Sequence, residues 1–471
     1  MASPLHLHED RLFPADPGQR AIARRLYAEV RGLPIVSPHG HTDPAWFARD
    51  EAFPNATDLF LVPDHYLFRM LYSQGVPLDA LGVPRRDGSR APVDPRAAWR
   101  LLAANMHLFR GTPSALWLDH VFATVFDLDV RLGPDTADHC FDRIGALLAR
   151  PDFRPRALFD RFGIEVLATT ECPTDRLEHH AALRAGDWPG RVISTYRPDA
   201  VIDPEDERFP AALGRFAEIT GEDVHGWTGY LAAHRKRRAA FRTMGATATD
   251  HGHPTAATAD LPRAEAEALF AKVVRRAATP AEAELFRAQM LTEMAAMSLE
   301  DGMVMQIHPG SWRNHNAGLF RRFGRDKGAD IPMPTDYVRA LKPLLDRFGN
   351  ERDLTIIVFT LDETAYAREL APLAGHYPAL RLGPAWWFHD SPEGMRRFRE
   401  MTTETAGFHN TVGFNDDTRA FLSIPARHDM ARRVDCAFLA RLVAEHRLDE
   451  DEAREVAVDL AYRLVKRAYR L

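Results

Sequence analysis

Leu354-Thr355-Ile356-Ile357-Val358-Phe359-Thr360 is a short, almost unbroken apolar run. A strand with one wet face alternates apolar and polar residues; this one does not, so both of its faces must be covered. Strands of that kind belong to parallel sheets lying under helices.

Comparable runs occur at Ile35-Val36, Glu165–Thr170, Arg191–Tyr196, Gly302–His308, Leu380–Phe388 and Asn410–Asn415, with a weaker one at Gly245–Thr249, which makes eight strands in all. Long helical segments separate them. Before the first, Ile22, Leu26, Tyr27 and Val30 recur at helical spacing, and Leu33-Pro34 closes that helix. Eight strands alternating with helices predict an α/β fold, a (β/α)8 barrel of the TIM type. An open doubly wound sheet is the alternative, but no glycine-rich phosphate loop follows the first strand, which removes its dinucleotide reading.

The stretch 53–150 breaks the rhythm with helical patterns at Tyr66–Tyr72 and Ala97–Leu108 and a Pro/Arg/Gly-rich connection at Gly82–Pro95. It reads as a mainly helical insertion after strand one. The expected division is 1–52 for the first helix and strand one, 53–150 for the insertion, and 151–471 for the rest of the barrel. A chain of 471 residues exceeds the roughly 250–300 at which one core stops growing, so a second unit is expected.

A formal net charge of -6 offers no general attraction for nucleic acid or anionic lipid. No run of about 18 apolar residues occurs, and residues 1–10 lack the basic start and apolar core of a signal peptide. Cys140, Cys172 and Cys436 are widely spaced and form no C-x-x-C pair. They support neither a disulfide framework nor a thiolate zinc site, and a cytoplasmic location is expected.

In a barrel the chemistry sits at the C-terminal ends of the strands. Here those ends are polar: His39 and His41; Thr170 and Glu171; Arg197 and Asp199; Asp250, His251 and His253; His308; Asp362 and Glu363; Trp387, His389 and Asp390; Asp416, Asp417 and Arg419. Residues i and i+2 of an extended segment point the same way, so His39 and His41 can present two imidazoles to one ion, with Gly40 between them allowing close backbone approach. Neutral imidazole plus a strand-eight carboxylate, Asp417, suits one divalent ion, zinc or similar. His251 and His253 compete for that role but follow a weaker strand, and read mainly as supporting or loop residues. Arg419 and Arg197 are candidate anion clamps, since guanidinium recognises carboxylate bidentately.

Asp64 is placed to cap a helix carrying His65 and Tyr66 toward the barrel mouth. Only five lysines occur, Lys236, Lys272, Lys327, Lys342 and Lys466, none at a strand end, which argues against Schiff-base chemistry and a lysine-bridged metal pair. Strand six ends without histidine, so a binuclear hydrolase site lacks a usual ligand.

The residues resemble, end to end, the uronate (glucuronate) isomerase family of the amidohydrolase superfamily. The resemblance rests on His39-Gly40-His41, Asp64-His65-Tyr66, Thr169-Thr170 with Pro173, Tyr196-Arg197-Pro198-Asp199, Met305-Gln306-Ile307-His308, Arg313-Asn314-His315-Asn316, Trp387-Phe388, and Asp417-Thr418-Arg419 running into Ala420-Phe421-Leu422-Ser423 and Arg427-His428. Where the family commonly has Thr-Thr-Asp-Asp-Pro, this chain reads Thr169-Thr170-Glu171-Cys172-Pro173.

The resemblance implies metal ligands His39, His41 and Asp417, and substrate-handling groups His65, Tyr66, Arg197, His308, Trp387 and Arg419. It implies an intramolecular oxidoreductase of carbohydrate metabolism that interconverts D-glucuronate with D-fructuronate and D-galacturonate with D-tagaturonate by proton transfer between C2 and C1 through an enediol. Within it Asp417 is the expected base and Tyr66 the proton shuttle, with His65 beside it. Arg197 and Arg419 would hold the carboxylate, and His308 and Trp387 would line the substrate. The expected partner is a small hexuronate, and a homo-oligomer is expected, as is common for barrels of this size. The rival is a mononuclear metal-dependent hydrolase of a sugar-acid lactone or amide, in which the same ligands would activate water.

Overall fold

The structure, a computed structural model, describes residues 3–471. Seven parallel strands follow one another in chain order around a curled sheet: β1 (Ile35–Ser37), β2 (Ile164–Glu171), β3 (Val192–Tyr196), β4 (Ala248–His251), β5 (Val304–Ile307), β8 (Ile356–Val358) and β9 (Leu380–Leu382). Between β5 and β8 the chain makes a small antiparallel ribbon of β6 (Ser311–Trp312) and β7 (Ile331–Pro332). The eighth position is taken by Asn410–Asn415, which joins β9 through one parallel bridge at Leu382 and Thr411. Gly413 in that segment has φ +76°, a left-handed conformation that interrupts a ladder and explains why no full strand forms. Closure comes from His41, whose N–H donates to the Thr418 carbonyl at 3.0 Å.

Period-2 alternation sorts the apolar runs onto two cores. Val36, Val166, Ala168, Ile193, Ala248, Val304, Ile357 and Phe359 point inward and pack with Val412, Val465 and Tyr469. Their neighbours Leu167, Tyr196, Met305, Ile307, Ile356, Val358 and Leu382 point outward under the helices. That is the two-faced burial expected of Leu354–Thr360, although the ladder there is confined to Ile356–Val358.

Two other strand expectations shift. The strand placed at Gly245–Thr249 lies at Ala248–His251, since Gly245 (φ +94°) still belongs to the turn that leaves the preceding helix. The run Leu380–Phe388 is extended only to Leu382; Trp387 adopts φ +53° in a short 3-10 turn, which swings its indole toward the barrel mouth.

Between β1 and β2 the chain is helical, with helices at Pro44–Arg49, His65–Ser73, Pro95–Ala104, Pro113–Thr124, Ala137–Leu148 and Pro155–Arg161. The first three are opened by Asp43, Asp64 and Asp94, each accepting from a backbone N–H in the first turn. Apolar residues of this segment, Phe60, Leu67, Phe68, Trp99, Phe122 and Phe126 among them, belong to the same continuous core as the outer layer of the barrel. The insertion is thereby held rigidly over the strand ends. Among the described residues no helix is long and apolar enough to cross a membrane, and all three cysteines are free.

Candidate active site

Every site residue anticipated from the sequence lines one cavity of about 860 Å³ at the C-terminal ends of the strands. Its floor is the exit of β1. Thr170 donates its hydroxyl to the Gly40 carbonyl at 2.8 Å, and this bond, with the His41–Thr418 bond, fixes the histidine-bearing segment. A Cβ on Gly40 would meet the Thr418 oxygen at 3.4 Å, an ordinary contact, so the glycine is less decisive than its spacing suggests.

His39 Nε2 and His41 Nε2 lie 3.5 and 3.2 Å from the same atom, Asp417 Oδ1. That oxygen is buried and receives no well-formed hydrogen bond, whereas Oδ2 accepts from Trp386 Nε1 at 2.5 Å. Two imidazole nitrogens and one carboxylate oxygen converge with an idle lone pair, a donor set that fits a divalent metal. Burial pushes His39 down to about 4, so it is the neutral, ligating form at neutral pH. Burial works against ionisation of Asp417, but the imidazoles of His39 and His41 prevail and hold it well below the ordinary carboxylate range. Asp417 is also one of the few non-glycine residues with positive φ, at +38°. Such conformations are costly and cluster at functional sites.

A second arm crosses the barrel from β3 to β5. Arg197 NH1 lies 3.0 Å from Asp250 Oδ2, and Asp250 Oδ1 lies 2.6 Å from His308 Nδ1. Asp250 is fully buried; burial would raise its pKa, but Arg197, then His308 and His39, hold it far below the usual range. A carboxylate can only accept, so His308 Nδ1 is the donor, and its unpartnered Nε2 is left for the cavity. The His308 ring is stacked between His39 (centroids 5.0 Å) and Phe359 (3.9 Å), which fixes its plane.

The roof comes from the insertion. Asp64 accepts from Tyr66 N at 2.8 Å and so starts the helix with His65 and Tyr66 facing down. Tyr66 OH donates to the Trp387 carbonyl at 3.4 Å, and the His65 ring stacks on Tyr66 at 4.5 Å. Burial pushes His65 down to about 3 and Tyr66 well above the ordinary phenol, so both are neutral at neutral pH. Arg427, unanticipated as a site residue, lies beneath them: it ion-pairs with Asp390 and its guanidinium packs 3.5 Å over Trp117.

Arg419 reaches the mouth, where its NH2 lies 3.4 Å from Asp326 Oδ2. Asp326 projects from the excursion between β6 and β7 in a left-handed conformation (φ +58°). Gly328 beside it cannot be replaced freely, since a Cβ would lie 2.6 Å from Arg69 Cβ. Against the cost of burial, Arg419 and Arg313 hold Asp326 below the carboxylate range.

Of the acids in the site, Asp250 was named at the end of its strand but given no role, and Asp326 was not named at all. The first had a signal, because strand alternation puts Asp250 on the barrel side when His251 faces out. The second had none, since its place depends on how a long excursion folds back. Glu171, at the end of β2, is buried at the edge of the cavity lining, 3.7 Å from His180 Nε2.

The chain as a whole can be set beside known proteins. A sequence model described as glucuronate isomerase matches residues 18–469. The chain belongs to the glucuronate isomerase family. It is 74% identical to a uronate isomerase of Phenylobacterium zucineum (strain HLK1), over 100% of this chain and 98% of that protein. The crystal structure of a family member, glucuronate isomerase from Caulobacter crescentus, superposes with a TM-score of 0.98 at 68% identity, covering 99% of this chain and 98% of that one. The uronate isomerase of Thermotoga maritima superposes with a TM-score of 0.91 at 27% identity, over 98% and 99% of the two chains. The family's barrel architecture therefore persists at low identity.

Proposed function

We propose that this chain interconverts D-glucuronate with D-fructuronate, and D-galacturonate with D-tagaturonate, within the cavity that joins the His39–His41–Asp417 triad to Arg197, Arg419 and Tyr66. The observation that carries this reading is their meeting in one cavity: an aldose–ketose isomerisation needs a base at C2, stabilisation of a charged oxygen, and a proton carrier between O1 and O2.

Arg419 and Arg197 are the arginines of the cavity assigned to the substrate carboxylate, Arg197 being already held by Asp250 and Asp199. Binding at Arg419 displaces Asp326, so the enzyme exchanges an internal carboxylate for the substrate's and keeps that guanidinium paired throughout. Asp417 takes the C2 proton and returns one to C1. Its low pKa makes it a weak base but leaves it ionised at every neutral pH. Tyr66 keeps its own proton, so it acts by donating to O1 as charge develops there while recovering a proton from O2. The free Nε2 of His308 and the unpartnered Nε2 of His65 face the substrate oxygens, and Trp387 closes the side of the site. A divalent ion held by His39, His41 and Asp417, with zinc the ion these donors suit, would supply Lewis-acid polarisation of a substrate oxygen. The cavity lining contains no lysine and no histidine from the end of β8, which leaves a binuclear hydrolase without its ligands, and the family match favours the isomerase over a mononuclear one.

The test is to give the purified protein D-glucuronate and D-galacturonate and follow the ketose by proton NMR, before and after chelation and re-addition of zinc. Ketose formation from at least one uronate is expected; no ketose from either sugar, with zinc restored, would overturn the assignment.

A further inference from the structure

The second histidine pair, His251 and His253, takes no part in the cavity chemistry. Alternation along β4 sends Asp250 into the barrel and His251 out through its wall, beneath the turn at Asp199–Ile202 and the helix Pro280–Asp301. There one ligand atom from each of Asp199, His251 and His253 lies within 4.8 Å of the others. His251 is 0% exposed and His253 4%.

The hydrogen bonding around these rings is incomplete. His251 Nε2 bonds to Thr249 Oγ1 at 3.0 Å, but its Nδ1 has no partner, and His253 has none at either nitrogen. Leaving three imidazole nitrogens buried and idle is costly. Burial pushes His251 down to about 3 and lowers His253 as well, so both rings offer lone pairs. Around His253 the acids Asp199, Asp203 and Glu284 outnumber the bases Arg287 and Arg197, the latter paired with Asp199, and this surplus favours a bound cation. Asp199 is held for the purpose: Gly252 N donates to its two oxygens at 3.1 and 3.2 Å, and Arg197 Nε to its Oδ2 at 2.8 Å.

We propose that Asp199, His251 and His253 form a second divalent-metal site, set in the barrel wall beside the cavity that Asp199 also lines and distinct from the His39–His41–Asp417 triad, whose ion positions Arg197 through their shared carboxylate. Two imidazoles and a carboxylate select a zinc-like ion, with water completing the shell. Ligand atoms around such an ion stand roughly 3.3–3.6 Å apart, so side-chain rotation of about an ångström closes the site. In this arrangement the ion takes one Asp199 oxygen and Arg197 keeps the other.

Metal count decides the matter without substrate, independently of the isomerase reading. Metal-free wild type, His39→Asn and His253→Gln proteins are titrated with cobalt(II) and followed by visible absorption and elemental analysis. Two equivalents are expected in wild type and one in each variant, with different spectra. His253→Gln should also raise KM for the uronate several-fold with little change in kcat, because Arg197 loses its support. Equal cobalt uptake by wild type and His253→Gln would overturn the proposal. Should His253→Gln fold poorly, anomalous scattering from cobalt-loaded wild-type crystals answers directly: a peak among Asp199, His251 and His253 is expected, and ordered water without anomalous signal there would overturn it.

Discussion

At the lower end of the barrel Tyr469 is fully buried among Val166, Ile193, Val304 and Ile357 and donates its hydroxyl to Gln306 Oε1 at 3.0 Å. At the upper end His308 Nε2, just past β5, and His65 Nε2 and Trp387 Nε1, brought over the strand ends by the insertion helix and the turn after β9, are buried atoms with no partner. One wall thus carries a satisfied half and an unsatisfied half. The difference teaches where stability and activity are stored: paired polar groups and apolar side chains below hold the fold, while unpaired groups above wait for substrate and metal. Substitutions at the two ends should therefore separate cleanly into activity effects and stability effects.

The largest expected effect is at the top. Asp417→Asn removes the base and one metal donor, and kcat should fall by about 10³–10⁴-fold or more with the folded state retained, measured by ketose formation and thermal melting. Near-normal turnover would break the comparison at its main point. Tyr66→Phe removes the proton carrier and should lower kcat about 10²-fold or more with little change in KM, read from initial rates. Arg419→Met should act mainly on kcat/KM, by roughly 10–100-fold, as one charge-assisted contact to the carboxylate is lost. At the bottom the signature inverts: Ile357→Ala should cost about 2–5 kcal/mol of stability in denaturant unfolding, with the activity of the folded fraction unchanged.

The smallest effect sits at the upper end of β2. Burial pushes Glu171 up to about 8, so the folded protein holds a proton that the unfolded chain releases above the ordinary carboxylate range. Stability contributed by this group therefore declines as pH rises from that range to about 8. Glu171→Gln imitates the protonated acid, and its melting temperature should match wild type near about pH 5 and exceed it increasingly toward alkaline pH. A gain that shrinks with rising pH would contradict the assignment.

Much of the upper end was legible in the sequence, because i/i+2 spacing at strand ends is a local property: His39 with His41 follows from alternation alone. The strand runs were legible for the same reason, as two-faced burial removes polar residues from Ile356–Val358. What was not legible depends on backbone outside the ladder. Gly413 and Trp387, both with positive φ, cut short two strands that composition extended. Asp326 reaches Arg419 only through the excursion between β6 and β7, and Arg427 reaches the cavity from a helix that reads as ordinary core. Asp250 was readable as inward-facing but was hidden beside the more conspicuous His251 and His253.

The most direct test of the central claim is to run the wild-type reaction with D-glucuronate in deuterated water and follow it by proton NMR. The account predicts D-fructuronate carrying deuterium at C1, delivered through an exchangeable enediol. Ketose with the substrate hydrogen fully retained would contradict solvent exchange at the enediol, and absence of ketose from either uronate would contradict the isomerase assignment itself.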